Sequence, residues 1–129
     1  MAIRGQAEVL ATFFTGFFAG VFTGDGVLEV GSGRRIEGPA AIANTLDYLD
    51  EHYPRTMHFV GNHEVTLGGD RAEGLVYCLA HHMYESDDQE RDTVMVIRYR
   101  DDYRRTAGGW RIAVRRLHID WQEDRPLSI

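Results

Sequence analysis

Residues 57–85 read MHFVGNHEVTLGGDRAEGLVYCLAHHMYE, and the alternation in this stretch decides the fold class. Two strand-like runs, 59–67 and 71–85, flank Gly68-Gly69-Asp70, a tight hairpin turn whose glycines allow positive φ. Successive strand side chains point to opposite faces. Leu75, Tyr77, Leu79, His81 and Met83 therefore share one face, and Val76, Cys78, Ala80, His82 and Tyr84 the other. Downstream, 93–103 and 110–121 read as two more strands joined at Ala107-Gly108-Gly109, with 86–92 as a solvated charged loop.

Upstream the pattern differs. In 1–22, Phe13, Phe14, Phe17, Phe18 and Phe22 recur at helical spacing, which predicts a buried amphipathic helix rather than a cleaved leader. Short strands are expected at 27–30 and 34–37. Gly38-Pro39 then opens a helix over 40–52 that presents Ile42, Leu46 and Leu49 and stops before Tyr53-Pro54. Front-loaded helices followed by a four-stranded antiparallel meander make an α+β layout. A strongly bent sheet with helices on its concave face encloses a cone-shaped cavity suited to a small ligand.

The chain has 129 residues, 43% hydrophobic and 26% charged, and this matches one globular domain over 1–129. No apolar run approaches the ~20 residues that cross a bilayer. A net charge of −6 argues against a phosphate-backbone partner, so neither membrane nor nucleic acid is expected. All 14 basic residues are arginine, which reads as codon composition. The lone Cys78 allows no internal disulfide and fits a reducing cytoplasm.

Histidine is the side chain that titrates unperturbed near neutral pH. His58, His63, His81 and His82 fall in the first two long strands, and His58 and His81 lie at the same end of the hairpin, far from its turn. Such a pair could hold a substrate oxygen and move a proton. Adjacent His81 and His82 must face opposite ways. No HExxH, paired CxxC or GxxxxGK occurs, so neither metal nor organic cofactor is expected, and Cys78 reads as a small strand residue. Arg115-Arg116 places one arginine on each sheet face.

The segments 55–62 (RTMHFVGN), 79–84 (LAHHMY), 109–112 (GWRI) and 118–121 (HIDW), with 22–27 (FTGDGV) and 36–39 (IEGP), resemble the SnoaL-like branch of the nuclear transport factor two superfamily, which includes scytalone dehydratase. The resemblance implies a cystatin-like cone and dehydratase, cyclase or isomerase chemistry. It makes His58 and His81 the catalytic acid and base and Tyr99 the group gripping the substrate. Phe13, Phe17, Tyr77, Met95, Ile97, Trp110 and Arg116 are the expected substrate-binding lining, and the ligand a small apolar or aromatic, polyketide- or steroid-like molecule. Relatives pair through the outer sheet face, so a homodimer is expected. The first helix carries Leu10 and Ala11 where the family has a Tyr-Asp or similar acidic pair, and Val30 where the dehydratase has a tyrosine. That departure supports an alternative reading, a ligand-binding or accessory protein that kept the cone without the chemistry.

Overall fold

A computed structural model describes residues 19–31 and 33–128. The expected first helix up to residue 18, with Phe13, Phe17, Leu10 and Ala11, lies outside them. A 3-10 turn at Ala19–Val21 leads into β1 (Phe22–Val30), β2 (Arg34–Glu37), α1 (Pro39–His52), β3 (Arg55–Gly68), β4 (Arg71–Ser86), β5 (Gln89–Thr106) and β6 (Gly109–Pro126). The order across the sheet is β2-β1-β6-β5-β4-β3. Four pairings are antiparallel, while β1 runs parallel to β6, so the curved sheet is mixed.

Two expected boundaries move. β1 begins at Phe22, expected at the end of the first helix, rather than at Val27. Thr23, Gly24, Asp25 and Gly26 are poor helix formers, and the Thr23 hydroxyl donates to Asp25 Oδ1 at 2.8 Å. The stretch 86–92 is not a loop. β4 and β5 continue to a two-residue turn in which Asp87 and Asp88 both take positive φ, 52° and 59°. Both central residues of a type I′ hairpin need that conformation, and aspartate tolerates it better than most side chains.

α1 starts as expected on Gly38-Pro39 and buries Ile42 completely. With Leu46 it packs on Phe22, Leu28, Ile36, Tyr103, Trp110 and Ile112, which form the core at one end of the concave face. A second core cluster, Val76, Cys78, Ala80, Ile97 and Tyr99, floors the middle of that face. On the far side of the sheet Phe59, Leu79 and Trp121 remain 62%, 41% and 57% exposed.

Three bulges control which side chains enter the cone. An extra residue at Gly61-Asn62 shifts the β3–β4 register between Val60 and His63. Two more, in β6, fall between the partners of Asp102 and Tyr103 and of Val96 and Ile97. Each adds one residue on one strand and so reverses the face of everything beyond it.

Candidate functional site

The concave face can be followed row by row across the strands. His82 pairs with Thr56 and Thr93, and Thr93 with Asp124. The next inward-facing row is His58, Ala80, Met95 and Gln122; then come Val60, Cys78, Ile97 and Ile119. Beyond the β3 bulge, His63, Val76, Tyr99 and Leu117 share a row, followed by Val65, Gly74, Asp101 and Arg115. The face thus has histidines at one pole, an apolar band, and a second polar cluster at the other.

At the first pole the rings of His58 and His82 stand 5.7 Å apart. His82 is 4% exposed, and its Nδ1 lies 3.2 Å from the Thr93 carbonyl. A carbonyl only accepts, so Nδ1 donates, and in the neutral ring the lone pair sits on Nε2. Tyr53, at the C-terminus of α1, packs on His82 with ring centroids 5.0 Å apart, and Tyr84 meets Tyr53 edge-on at 6.1 Å. Asp124 anchors this wall: the Tyr84 hydroxyl donates to it, as do Arg91 Nε at 2.5 Å and Thr93 Oγ1 at 2.8 Å. These donors hold the Asp124 carboxyl below the usual aspartate range.

The second pole is a closed polar chain. Arg115 grips Asp101 with two hydrogen bonds, Nε to Oδ1 at 2.8 Å and Nη2 to Oδ2 at 2.6 Å, and both residues are almost wholly buried. The Tyr103 hydroxyl donates to Asp101 Oδ2 at 2.7 Å, and His63 Nε2 lies 3.0 Å from the same hydroxyl. The Arg115 guanidinium stacks 4.2 Å from the Tyr99 ring. Burial pushes the Tyr99 and Tyr103 phenols up, so both keep their protons. Burial likewise raises the Cys78 thiol to about 11, far from a nucleophilic thiolate.

Placement differs from expectation at three residues. His81 is not beside His58. Counting back from Gly68 and Arg71 without interruption would pair them, but the bulge makes Ala80 the partner of His58 and so turns His58 inward, while alternation along the unbroken β4 points His81 to the outer face. There His81 Nδ1 meets the buried Asp92 Oδ2 at 2.7 Å, and Asp92 Oδ1 accepts the His82 backbone N–H at 3.1 Å. Tyr77 shares that outer face, 40% exposed. Arg116 is outside as well, its Nη2 donating to Asp102 at 3.0 Å with Glu29 close by. An uninterrupted β5–β6 ladder would set Arg116 opposite Tyr99; the bulge turns Arg115 inward instead. His58, Tyr99, Met95, Ile97 and Trp110 do lie on the concave face. His63, Asp101, Tyr103 and Arg115 form the cluster that sequence reading missed. The one available signal was the Gly-Asn pair at 61–62, glycine within a strand being a frequent mark of a bulge.

Among the described residues no group of three or more His, Cys, Asp or Glu side chains converges as a metal site. No helix among them is long and apolar enough to cross a membrane.

A curved mixed sheet with a helix packed on it defines an α+β, cystatin-like class of fold, and comparison with known proteins agrees. The model of the SnoaL-like domain family matches residues 10–116, and the chain belongs to that family, within the nuclear transport factor two superfamily. A protein of Mycobacterium tuberculosis is 32% identical over 98 residues, covering 75% of this chain and 65% of the relative. The chain thus spans just under two thirds of the length of the curated relatives it matches. Among solved structures, the Kfla4162 protein of Kribbella flavida superposes with a TM-score of 0.81 at 22% identity, over 92% of this chain and 93% of that one. A nuclear transport factor two-like protein with a cystatin-like fold from Novosphingobium aromaticivorans gives 0.65 at 26% identity, over 90% and 70%. A hexachlorocyclohexane dehydrochlorinase of Novosphingobium barchaimii gives 0.74 at 16% identity, over 96% and 88%.

Proposed function

We propose that this chain is a cofactor-independent lyase or isomerase of the dehydratase or cyclase type, acting on a small apolar or aromatic molecule. The observation that carries this reading is the pair of inward-facing imidazoles, His58 and His82, at 5.7 Å above an apolar floor of Ala80, Cys78, Met95 and Ile97. In a dehydration, His82 Nε2 accepts the proton from the carbon next to the substrate carbonyl. Protonated His58 then donates to the departing hydroxyl, the C–O bond breaks, and water leaves. The elimination chemistry named for the dehydrochlorinase neighbour is of the same kind. Tyr99 and Trp110 supply aromatic wall to the cone.

The test is loss of water from a β-hydroxy aryl ketone to its conjugated enone, followed by ultraviolet absorbance. His58→Ala and His82→Ala each lower the rate by ~100-fold or more. Turnover unchanged in both variants sinks the reading. Binding of the ketone with no turnover in the wild type favours the accessory-protein alternative instead.

The working form in this reading is a homodimer in the cytoplasm. Phe59, Leu79, Val96 and Trp121 form one continuous outward row across β3, β4, β5 and β6. A two-fold axis lets such a patch cover itself.

A further inference from the structure

Alternation along β5 and β6 sets four basic side chains in one block on the outer face of the sheet. Arg100 pairs with Arg116 and, one row along, Arg98 with His118. The two β6 bulges bracket this stretch, and between them 114–119 keep an unbroken register against β5. Neighbouring strands lie ~5 Å apart and successive outward residues ~7 Å apart, so the four share one small patch. Like charges directly opposite repel, and Arg100 against Arg116 is such a pair.

Three of the four are held by carboxylates. Arg98 donates to Asp120 through Nε at 2.8 Å and Nη2 at 2.6 Å, and His118 Nε2 lies 3.3 Å from the same group. Arg116 Nη2 donates to Asp102 at 3.0 Å, and its Nε stands 3.6 Å from Glu29, which Arg35 also grips. Arg100 is the exception. It is exposed, and no carboxylate among the described residues pairs with it.

These side chains line a cavity of about 380 Å³, bordered by Gly31 and Gly33, which add backbone without side chains. Three arginines and His118 there meet a single carboxylate, Glu29. In a chain of net charge −6 that is a local reversal of sign. Cavities of ~300–1,000 Å³ are the size that holds small molecules, and a bare phosphate fills only part of one.

We propose that this outer-face cavity binds a small phosphate ester, with the Arg100 guanidinium as its principal anchor and Arg98, Arg116 and His118 around the remaining oxygens. A guanidinium fork matches phosphate oxygens two at a time. Asp120 and Asp102 already fix Arg98 and Arg116, so little side-chain freedom is lost on binding, and Nη1 of each is left for the ligand. A dianion between Arg100 and Arg116 also relieves their mutual repulsion. The cavity lies toward β1, away from Phe59 and Leu79, and across the sheet from His58 and His82.

The experiment titrates phenyl phosphate into the wild type and Arg100→Gln, followed by calorimetry and by the arginine Nε–Hε peaks in 15N NMR. Binding is expected to weaken about tenfold or more in Arg100→Gln, because a charge-assisted contact is lost, while circular dichroism stays native. In the wild type the Arg100 and Arg116 peaks shift on titration, and affinity falls as salt rises. Benzoate, with one charge, and inorganic phosphate, with no ring, each bind more weakly than the ester. His82→Ala binds the ester as the wild type does. Equal affinity in the wild type and Arg100→Gln overturns the proposal, as does a wild type that binds no phenyl phosphate at millimolar concentration. Loss of binding in His82→Ala but not in Arg100→Gln puts the ester in the cone and overturns the outer site. Benzoate or inorganic phosphate matching phenyl phosphate overturns the choice of a phosphate ester.

Discussion

His58 stands opposite Ala80 in the β3–β4 ladder, and its ring faces His82, with 5.7 Å between centroids. The neighbouring His81 is thereby committed to the outer face, where it binds Asp92. His81→Ala is therefore expected to leave dehydration of the aryl ketone within about threefold of wild type. It should cost roughly 1.5–3 kcal/mol of stability, because a hydrogen bond to a buried carboxylate is lost. Urea denaturation and the enone assay on the same preparation check both halves.

Asp101→Ala strips the counter-charge from a guanidinium that is 1% exposed. Leaving a buried charge unpaired costs ~3–5 kcal/mol. Replacing both partners together, as Asp101→Leu with Arg115→Met, removes the charges as well as the contact and is expected to be the less damaging change. Chemical denaturation of the single and double variants measures the difference; equal losses would contradict this account.

Acid sensitivity follows from His63. Burial lowers its affinity for a proton in the fold, whereas the unfolded chain titrates near the free value of 6.5. As pH falls below that value the unfolded state takes up the proton first, so stability declines on acidification. The contribution is complete above about 6.5 and is lost as pH drops through the lower, folded value. Unfolding free energies measured between pH 7.5 and 5 should show this slope, and His63→Gln should flatten it.

The outer apolar row predicts association. Trp121, 57% exposed, lies at the end of the row that begins with Phe59. Trp121→Glu together with Phe59→Glu is expected to convert a dimer to a monomer in light scattering at micromolar concentration, with the far-ultraviolet spectrum unchanged. A wild type that already scatters as a monomer removes the basis for this surface.

Much of the fold was legible because its signals are local. Gly68-Gly69-Asp70 placed the central hairpin, Gly38-Pro39 opened α1, and alternation put Val76, Cys78 and Ala80 on one face. The turn at Asp87-Asp88 was hidden, since its charge resembles that of a solvated loop while its backbone continues two strands.

The sequence by itself determined that four of the six histidines would fall on one long hairpin of an α+β fold, because residue type and period are written in the chain. Only the tertiary structure decided which of those groups look inward. A single extra residue in a strand exchanges its two faces, and at Gly61-Asn62 it put His58 on the same inner face as His63, beside the His82 that alternation along β4 already turned inward. In β6 the same device chose Arg115 over Arg116. A bulge is set by how two strands fit against each other, and that fit exists only once both have been brought together.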